Sequence, residues 1–517
     1  MHLPVLSPAQ SAEWDRRAVE AGHSLATLMD AAGRAAAQVI ARRYGNRLRG
    51  GVLVAVGPGN NGGDGWVVAR ALHRMELPVF VTAMGARRTE LNQQAAALAL
   101  ADGVRQVDAD GPWPQVALIV DALLGTGAAG PPRPELALLL ERINDLALPV
   151  AGLDGPTGVD LATGVTHNPY LTVDCSITFG GPRRGHLLAR DECGDVICVD
   201  IGLPAAEAAW PRLLREREAA LALRPLVAGD HKGRRGRVVV IGGDSGMSGA
   251  VRLAARASFA AGAGLVHAAA PADTVQALIA AEPDLQTIVQ SFDDAPTAAL
   301  LALVEQADAV VIGPGLGKGE GRRAFIEAVV ARAARVVLDA DGLNAFQGAT
   351  DALARLAGGR PVVLTPHPGE FRRLFPQHTE SMEVDPWRSA DGAAGVVGCV
   401  LLLKGVPTVV ASNGAAPITI AAGNPGLATG GSGDILSGLI GTMLAQEREP
   451  VLAAAVAAQA LGRAADLAAR RYTARAMRPM DVIAALPDLW RSWTTLREVG
   501  ELPDPPVLYH LERPITT

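Results

Sequence analysis

Hydrophobic residues fall in short blocks along this chain, separated by longer stretches in which apolar positions recur at helical spacing. Residues 7–43 read as amphipathic helices, with Ser7-Pro8 as a cap and first-turn pair. Then come "GVLVAVG" (51–57), "PVFVTAMG" (78–85), "VALIVDALLG" (116–125), "LPVAGLDGPTG" (148–158), "CSITFGG" (175–181) and "VICVDIG" (196–202). Blocks this short and this apolar predict parallel strands buried on both faces, and the segments 66–77 and 134–146 between them predict helices. The sum is an open α/β sheet.

The rhythm breaks over 203–236, where a charged helical stretch leads into the basic loop "HKGRRG" (231–236). A second α/β series follows: "RVVVIGG" (237–243), "GLVHAAAP" (264–271), "DAVVIGPG" (308–315), "RVVLDADG" (335–342), "PVVLTPHPGE" (361–370), "CVLLLKG" (399–405) and "PTVVASNG" (407–414). The pattern predicts a boundary near 215–225 and two domains, 1–215 and 216–517. The tail from about 497 is polar and proline-rich and is expected to pack poorly.

Composition narrows the function. The 517 residues exceed one ordinary core. Aromatic residues make up 4%, too few for base-stacking platforms, and the net charge of −6 argues against a nucleic-acid partner. Cysteines 175, 193, 198 and 399 form no CxxC pair and read as free thiols in a reducing cytoplasm. The N-terminus lacks a basic-then-apolar signal pattern, and no uncharged run is long enough to span a bilayer, so no membrane partner is expected.

Two glycine-rich loops carry the chemistry. "GPGNNGGDG" (57–65) follows the first strand and opens a helix, with G-x-G-x-x-G at Gly57, Gly59 and Gly62. The carboxylate that an NAD-type fold places after the second strand is missing from "TAMGARRTE". Asn61, Asp121 and Thr157 come from three loops at the same sheet edge; they offer oxygen ligands for a hard cation, or they are turn and cap residues. The second loop is "TGGSGDILSG" (429–438). Its bare backbone and helix start invite an anion, and Asp434 beside it makes sense if it acts on a group next to a bound phosphate. "GPGLGKGE" is not a Walker A loop. On the residues alone His367 reads as a structural loop histidine, Lys404 as a strand-end surface charge, and Asp339 and Asp341 as helix caps or as metal or phosphate contacts. "HKGRRG" reads as a solvated or a phosphate-steering loop.

"VGPGNNGGDG", "DALLGTG", "LDGPTGVD" and "SITFGGPRRGH" resemble the YjeF N-terminal domain, whose characterised members are NAD(P)H-hydrate epimerases. "GGDSGMSGAVRLAARASFAAGAGLV", "VIGPGLG", "LDADGLN", "LTPHPGE", "LLKG" and "NPGLATGGSGDILSGLI" resemble the ribokinase-like NAD(P)H-hydrate dehydratases. The resemblance runs from about residue 7 to 490. It implies a Rossmann-like epimerase domain followed by a ribokinase-like dehydratase domain, with substrates NADHX and NADPHX. ADP would be the co-substrate, Mg²⁺ would serve the second domain and K⁺ the first; a homo-oligomer stays open. The alternative is a small-molecule kinase of the same fold fused to a non-catalytic binding module.

Position by position, the resemblance puts the hydrate on Asn60, Asn61, Gly62, Gly63 and Asp64, on Gly125, Thr126, Gly127, Ala128, Ala129, Gly130 and Pro131, and on Asp154. It puts potassium on Asn61, Asp121 and Thr157. In the second domain the hydrate would meet Ala250, Gly315, Gly317, His367 and Asp434, and ADP would lie along Lys404, Gly405, Val406, Pro407 and Thr408 and at Gly433. Asp434 and Asp154 would be the catalytic acid/base groups. The family usually has Ser where Thr157 stands and often Lys where Arg183 stands; arginine stays protonated, so a proton-transfer role there would be lost.

Overall fold

The computed structural model describes residues 2–85, 88–446, 448–500 and 504–516, in two compact units. The first comprises residues 1–210 and 502–513, the second 211–501 and 514–517. Ala86 and Arg87 of "TAMGARRTE", and residues 501–503 and 517 of the tail, lie outside the described residues.

In the first unit the strands run, edge to edge, Val507–Leu511, Asp195–Val199, Cys175–Phe179, Val150–Leu153, Leu118–Ala122, Val52–Val56, Val79–Ala83 and Arg105–Val107. All neighbours pair in parallel except the first two, which are antiparallel. The chain starts outward from Val52–Val56, then returns to pair Leu118–Ala122 on its other side. That reversal is a switch point, and the loops at its carboxyl ends form a crevice. The strands between the two edges are almost fully buried, as their uninterrupted apolar runs require. Helix Pro8–Glu20 starts at Ser7 with a capping box, Gln10 N donating to Ser7 Oγ and Ser7 N to Gln10 Oε1.

The tail departs from expectation. Val507–Leu511 is a strand on the first unit's sheet, so the domain expected to run to 517 yields this segment to the first unit. Contacts of His510 and of the Arg513 backbone N (2.8 Å) with Asp195, and a hydrogen bond from buried Arg190 to the Glu512 carbonyl, hold the tail there. A five-residue strand flanked by prolines shows little local signal, because its partner is distant in sequence.

In the second unit the order is Arg212–Leu213, Ala415–Ile420, Thr408–Ser412, Val400–Leu403, Val362–Leu364, Val336–Leu338, Ala309–Ile312, Arg237–Ile241, Leu265–Ala270 and Gln286–Val289. Its switch point lies between Arg237–Ile241 and Ala309–Ile312. The parallel series ends in antiparallel pairs at 400–403, 408–412 and 415–420, because Lys404–Pro407 is too short a link for a crossover helix. Helix Ser432–Ala445 is buried along nearly its whole length, and helix Pro450–Tyr472 packs Ala453–Ala469 into the same core. Among the described residues Pro450–Tyr472 is the one helix long and apolar enough to cross a membrane.

Candidate active sites

At the first switch point lies a cavity of about 500 Å³. Asn60, Asn61, Asp64, Gly125, Thr126, Gly127, Ala128 and Asp154 line it, as expected. Gly62 and Gly63 lie buried beneath it; a side-chain carbon at Gly62 would stand 2.0 Å from the Gly57 carbonyl, so the loop closes only with glycine there. Ala129, Gly130 and Pro131 are exposed and do not line the cavity.

Asp154 sits just past strand Val150–Leu153 with φ +64°, a conformation that costs an L-residue about 1–3 kcal/mol. Thr126 N (2.9 Å) and the Thr126 hydroxyl donate to its Oδ2, and Arg183 pairs with its Oδ1 at 3.1 Å. Burial alone would raise this carboxyl, but the Arg183 guanidinium and the Thr126 bonds outweigh it and hold Asp154 below the ordinary carboxylate range. Arg183 is itself buried, and it also donates to the carbonyls of Phe179 (3.2 Å) and Gly181 (2.7 Å). Its role is to fix an ionised Asp154. His186 accepts from Arg183 N at Nδ1 (2.9 Å), so Nε2 carries the proton toward the Asp154 carbonyl; burial lowers its pKa to about 4 and keeps it neutral.

The three expected cation ligands form one connected group. Asn61 Nδ2 donates to the carbonyls of Leu124 (2.9 Å) and Leu153 (3.2 Å), Leu124 N donates to Thr157 Oγ1 (3.2 Å), and Thr157 donates to Asp121 through Oγ1 (2.8 Å) and N (2.7 Å). Burial raises the Asp121 carboxyl to about 6 against those bonds. Asn61 Oδ1 is buried and has no hydrogen-bond partner among the described residues. An orphaned acceptor beside a carboxylate and a hydroxyl suits a cation that takes oxygen ligands.

Sequence reading missed the contribution of the N-terminal helices. Ser11, Trp14 and Asp15 from Pro8–Glu20 and Leu28 and Met29 from Leu25–Tyr44 form a wall of the cavity. Asp15 stands in "SAEWDRR", where nothing but an exposed acidic position on an amphipathic helix can be read.

In the second unit, helices Ser248–Ala260 and Ser432–Ala445 run side by side in the same direction. Positions 431, 438 and 442 meet Leu253, Ala254 and Ser258 in turn. Their first turns, carrying Ala250 and Asp434, therefore open at the same end. Asp434 is the third residue of its helix, after Gly431 in the left-handed region (φ +104°). Burial first, then the charge of Asp339, push its carboxyl up to about 7 against the pull of Lys404.

Asp339 is 1% exposed; it takes Lys404 Nζ at 2.7 Å and the Ser437 hydroxyl, and so caps no helix. Lys404 is thus a built ion pair, not a free surface charge. A side-chain carbon at Gly433 would stand 3.2 Å from Lys404 Nζ, which brings together two of the expected ADP contacts. Val406 is exposed, and Thr408 Oγ1 donates to the Gly405 carbonyl (3.1 Å). Asp341 accepts from Gly317 N at 3.0 Å and so holds the Gly315–Gly317 loop, where a carbon on Gly315 would reach Ala250 at 3.1 Å. His367 does structural work: Nδ1 accepts from Gly369 N (3.0 Å) and starts helix Pro368–Leu374, with half its side chain exposed. The Lys404 backbone N donates to the Pro366 carbonyl (2.9 Å), which ties the two loops together. In "HKGRRG", His231, Lys232 and Arg234 are exposed, as in a solvated loop.

Each unit thus brings carboxylates together near the carboxyl ends of its sheet's strands, beside a glycine-rich turn opening a helix. That is the class of a fused α/β enzyme handling phosphorylated nucleotides at two sites. Comparison with known proteins narrows it. Residues 25–185 match the family described as YjeF-related protein N-terminus, and residues 238–488 match NAD(P)H-hydrate dehydratase. The bifunctional NAD(P)H-hydrate repair enzyme Nnr of Escherichia coli (strain K12) is 36% identical over 474 residues, covering 90% of this chain and 89% of its own. The Nnr of Coxiella burnetii is 36% identical over 493 residues, covering 92% and 97%. The ADP/ATP-dependent NAD(P)H-hydrate dehydratase of Bacillus subtilis, co-crystallised with ATP/Mg²⁺, is 26% identical with a TM-score of 0.47, over 54% of this chain and 97% of its own. The chain belongs to the family of bifunctional NAD(P)H-hydrate repair enzymes.

Proposed function

We propose that this chain restores hydrated nicotinamide nucleotides. The first unit interconverts the R and S forms of NAD(P)HX, and the second dehydrates the S form to NAD(P)H at the expense of ADP. The observation that carries the reading is Asp434: a half-buried carboxylate with its pKa raised to about 7, in the first turn of a helix opened by "TGGSG". The hydrate's C6 hydroxyl is a poor leaving group. Phosphorylation makes it a good one, and the ring nitrogen's lone pair then expels phosphate. Asp434 takes the hydroxyl proton, the turn's backbone N–H groups receive the transferring phosphoryl group, and Lys404 stands beside Gly433 to meet the nucleotide.

Among the described residues no cluster of three or more His, Cys, Asp or Glu side chains is arranged for a metal ion, which suits Mg²⁺ carried by the polyphosphate and neutralising its charge. In the first unit Asn61, Asp121 and Thr157 would hold K⁺, and Asp154 exchanges protons with the hydrate. Four free, buried cysteines fit a cytoplasmic setting.

The test is a mixture of hydrate epimers with ADP or ATP, followed by absorbance of NAD(P)H. Full recovery with release of inorganic phosphate supports the reading. A stable phosphorylated product with no recovered absorbance overturns it and favours the small-molecule kinase.

A further inference from the structure

The cavity of the first unit holds more acid than one proton-transfer group needs. Among the described residues its lining carries three carboxylates, Asp15, Asp64 and Asp154, and one cation, Arg183, and the other lining side chains are uncharged. Arg183 is committed to Asp154. Among the described residues Asp15 and Asp64 have neither a hydrogen-bond donor nor an ion-pair partner, although each is half-buried.

Both are held there by construction. Helix Leu25–Tyr44 lies so close over the turn of Asp64 that a side-chain carbon at Gly33 would fall 2.9 Å from the Asp64 carbonyl, so water is kept from that side. Helix Pro8–Glu20 is fastened at two places. Leu6, just before it, exchanges backbone bonds with Pro182 and Arg184 (both 2.9 Å), which flank Arg183. Trp14 is 3% exposed, donates to the Pro204 carbonyl at 2.9 Å and meets Trp210 edge to face. The residue after this anchored tryptophan is Asp15.

We propose that Asp64 is the acid side of the epimerase site, with ionised Asp154 in the same cavity as the base side, and that Asp15 is a positioning residue whose charge keeps the proton on Asp64. This rests on the epimerase reading of the first unit. Inverting C6 of the hydrate requires a bond at that carbon to break and re-form on the other face. Asp154 takes the hydroxyl proton, the C6–N1 bond breaks to leave an aldehyde at C6, and its electron pair stays on N1. N1 then takes a proton from Asp64. Closure onto the aldehyde's other face returns both protons, and nothing is oxidised or reduced. Two carboxylates in opposite states are what such a step needs. Burial, then the charges of Asp154 and Asp15, push Asp64 well above the ordinary carboxylate range; burial raises Asp15 too, against Arg183.

The test uses the full chain without nucleotide, so that hydrate is not consumed, and reads epimer exchange by NMR from pH 5 to 9. Asp15→Asn should lower the maximal exchange rate about tenfold or more. It should also move the high-pH fall of the profile to lower pH, because a neutral amide no longer helps keep the proton on Asp64. Asp15→Glu should restore most of both. Wild-type rate and an unmoved profile in Asp15→Asn would overturn the proposal. So would an equal loss in both variants with the profile unmoved, which marks a packing role. A wild-type chain that exchanges no epimers overturns the epimerase reading itself, whatever the variants do.

Discussion

Asp154, just past strand Val150–Leu153, and Asp434, in the first turn of helix Ser432–Ala445, are the proposed proton-transfer groups of their units, yet their surroundings push them in opposite directions. Asp154 has a buried cation to itself: Arg183 forms an ion pair with no other carboxylate among the described residues, and Asp154 is held ionised. Asp434 has to share one: Lys404 is bound to Asp339, and burial leaves Asp434 near 7. In the proposed reactions both groups take the proton of the hydrate's C6 hydroxyl: Asp154 is ionised and ready for it across neutral pH, whereas Asp434 has its pKa near the ambient pH, where a general base is most effective.

The largest effect should come from Asp434→Asn, which keeps the shape and removes the base. Dehydration should fall about 10²–10⁴-fold with ADP affinity changed little. Recovery of NAD(P)H absorbance at more than about a tenth of the normal rate would break the assignment. Asp154→Asn should lower epimer exchange by about 10²-fold or more, in kcat more than in KM, and it leaves Arg183 without its counter-charge. A variant that exchanges at the wild-type rate by NMR would move the base elsewhere.

The pH profiles sharpen the contrast. Asp434 must be ionised to act, so dehydratase kcat/KM should rise with pH through about 7 and level off above it. From pH 8 to 6 it should lose about tenfold, as the ionised fraction falls. Epimer exchange should show no such acid limb near neutrality, because Asp154 is held below the ordinary carboxylate range. The smallest change expected is from Asp121→Ala, which removes one charged oxygen near Asn61 and Thr157. Exchange should drop several-fold and lose its dependence on potassium against a bulky cation, on the order of 1 kcal/mol.

How much of this could be read in advance depends on whether a feature is contiguous in the chain. The turn "TGGSGD" shows its glycines, helix start and carboxylate within a few residues, and Asp434 is legible there. Both strand series were legible because buried parallel strands are uninterrupted apolar runs. The pairing of Lys404 with Asp339 joins positions 65 residues apart, and each alone reads as a surface charge or a cap. Asp15 belongs to no motif; its place follows from Trp14 and Leu6 anchoring a helix over the cavity. His367 lies in a recognisable "TPHPGE", but its Nδ1 is spent on the backbone of its own helix.

The return of Val507–Leu511 to the first unit's sheet makes the second unit a guest within its host's chain: the host is left at residue 210 and re-entered at 502. Splitting the gene at the apparent boundary therefore does not yield two whole halves. A fragment ending near 215 would bare the edge of Asp195–Val199, four of whose five residues are buried, and leave Arg190 without the Glu512 carbonyl. Such an open edge is a template for pairing with another copy. The chain passes between the units three times, after residues 210, 501 and 513, so a stand-alone host has to keep the Val507–Leu511 strand and cannot be made by truncation near 215. Conversely, a proteolytic nick near residue 500 severs one of these three passages and leaves the strand on the host's sheet held there by its own pairing.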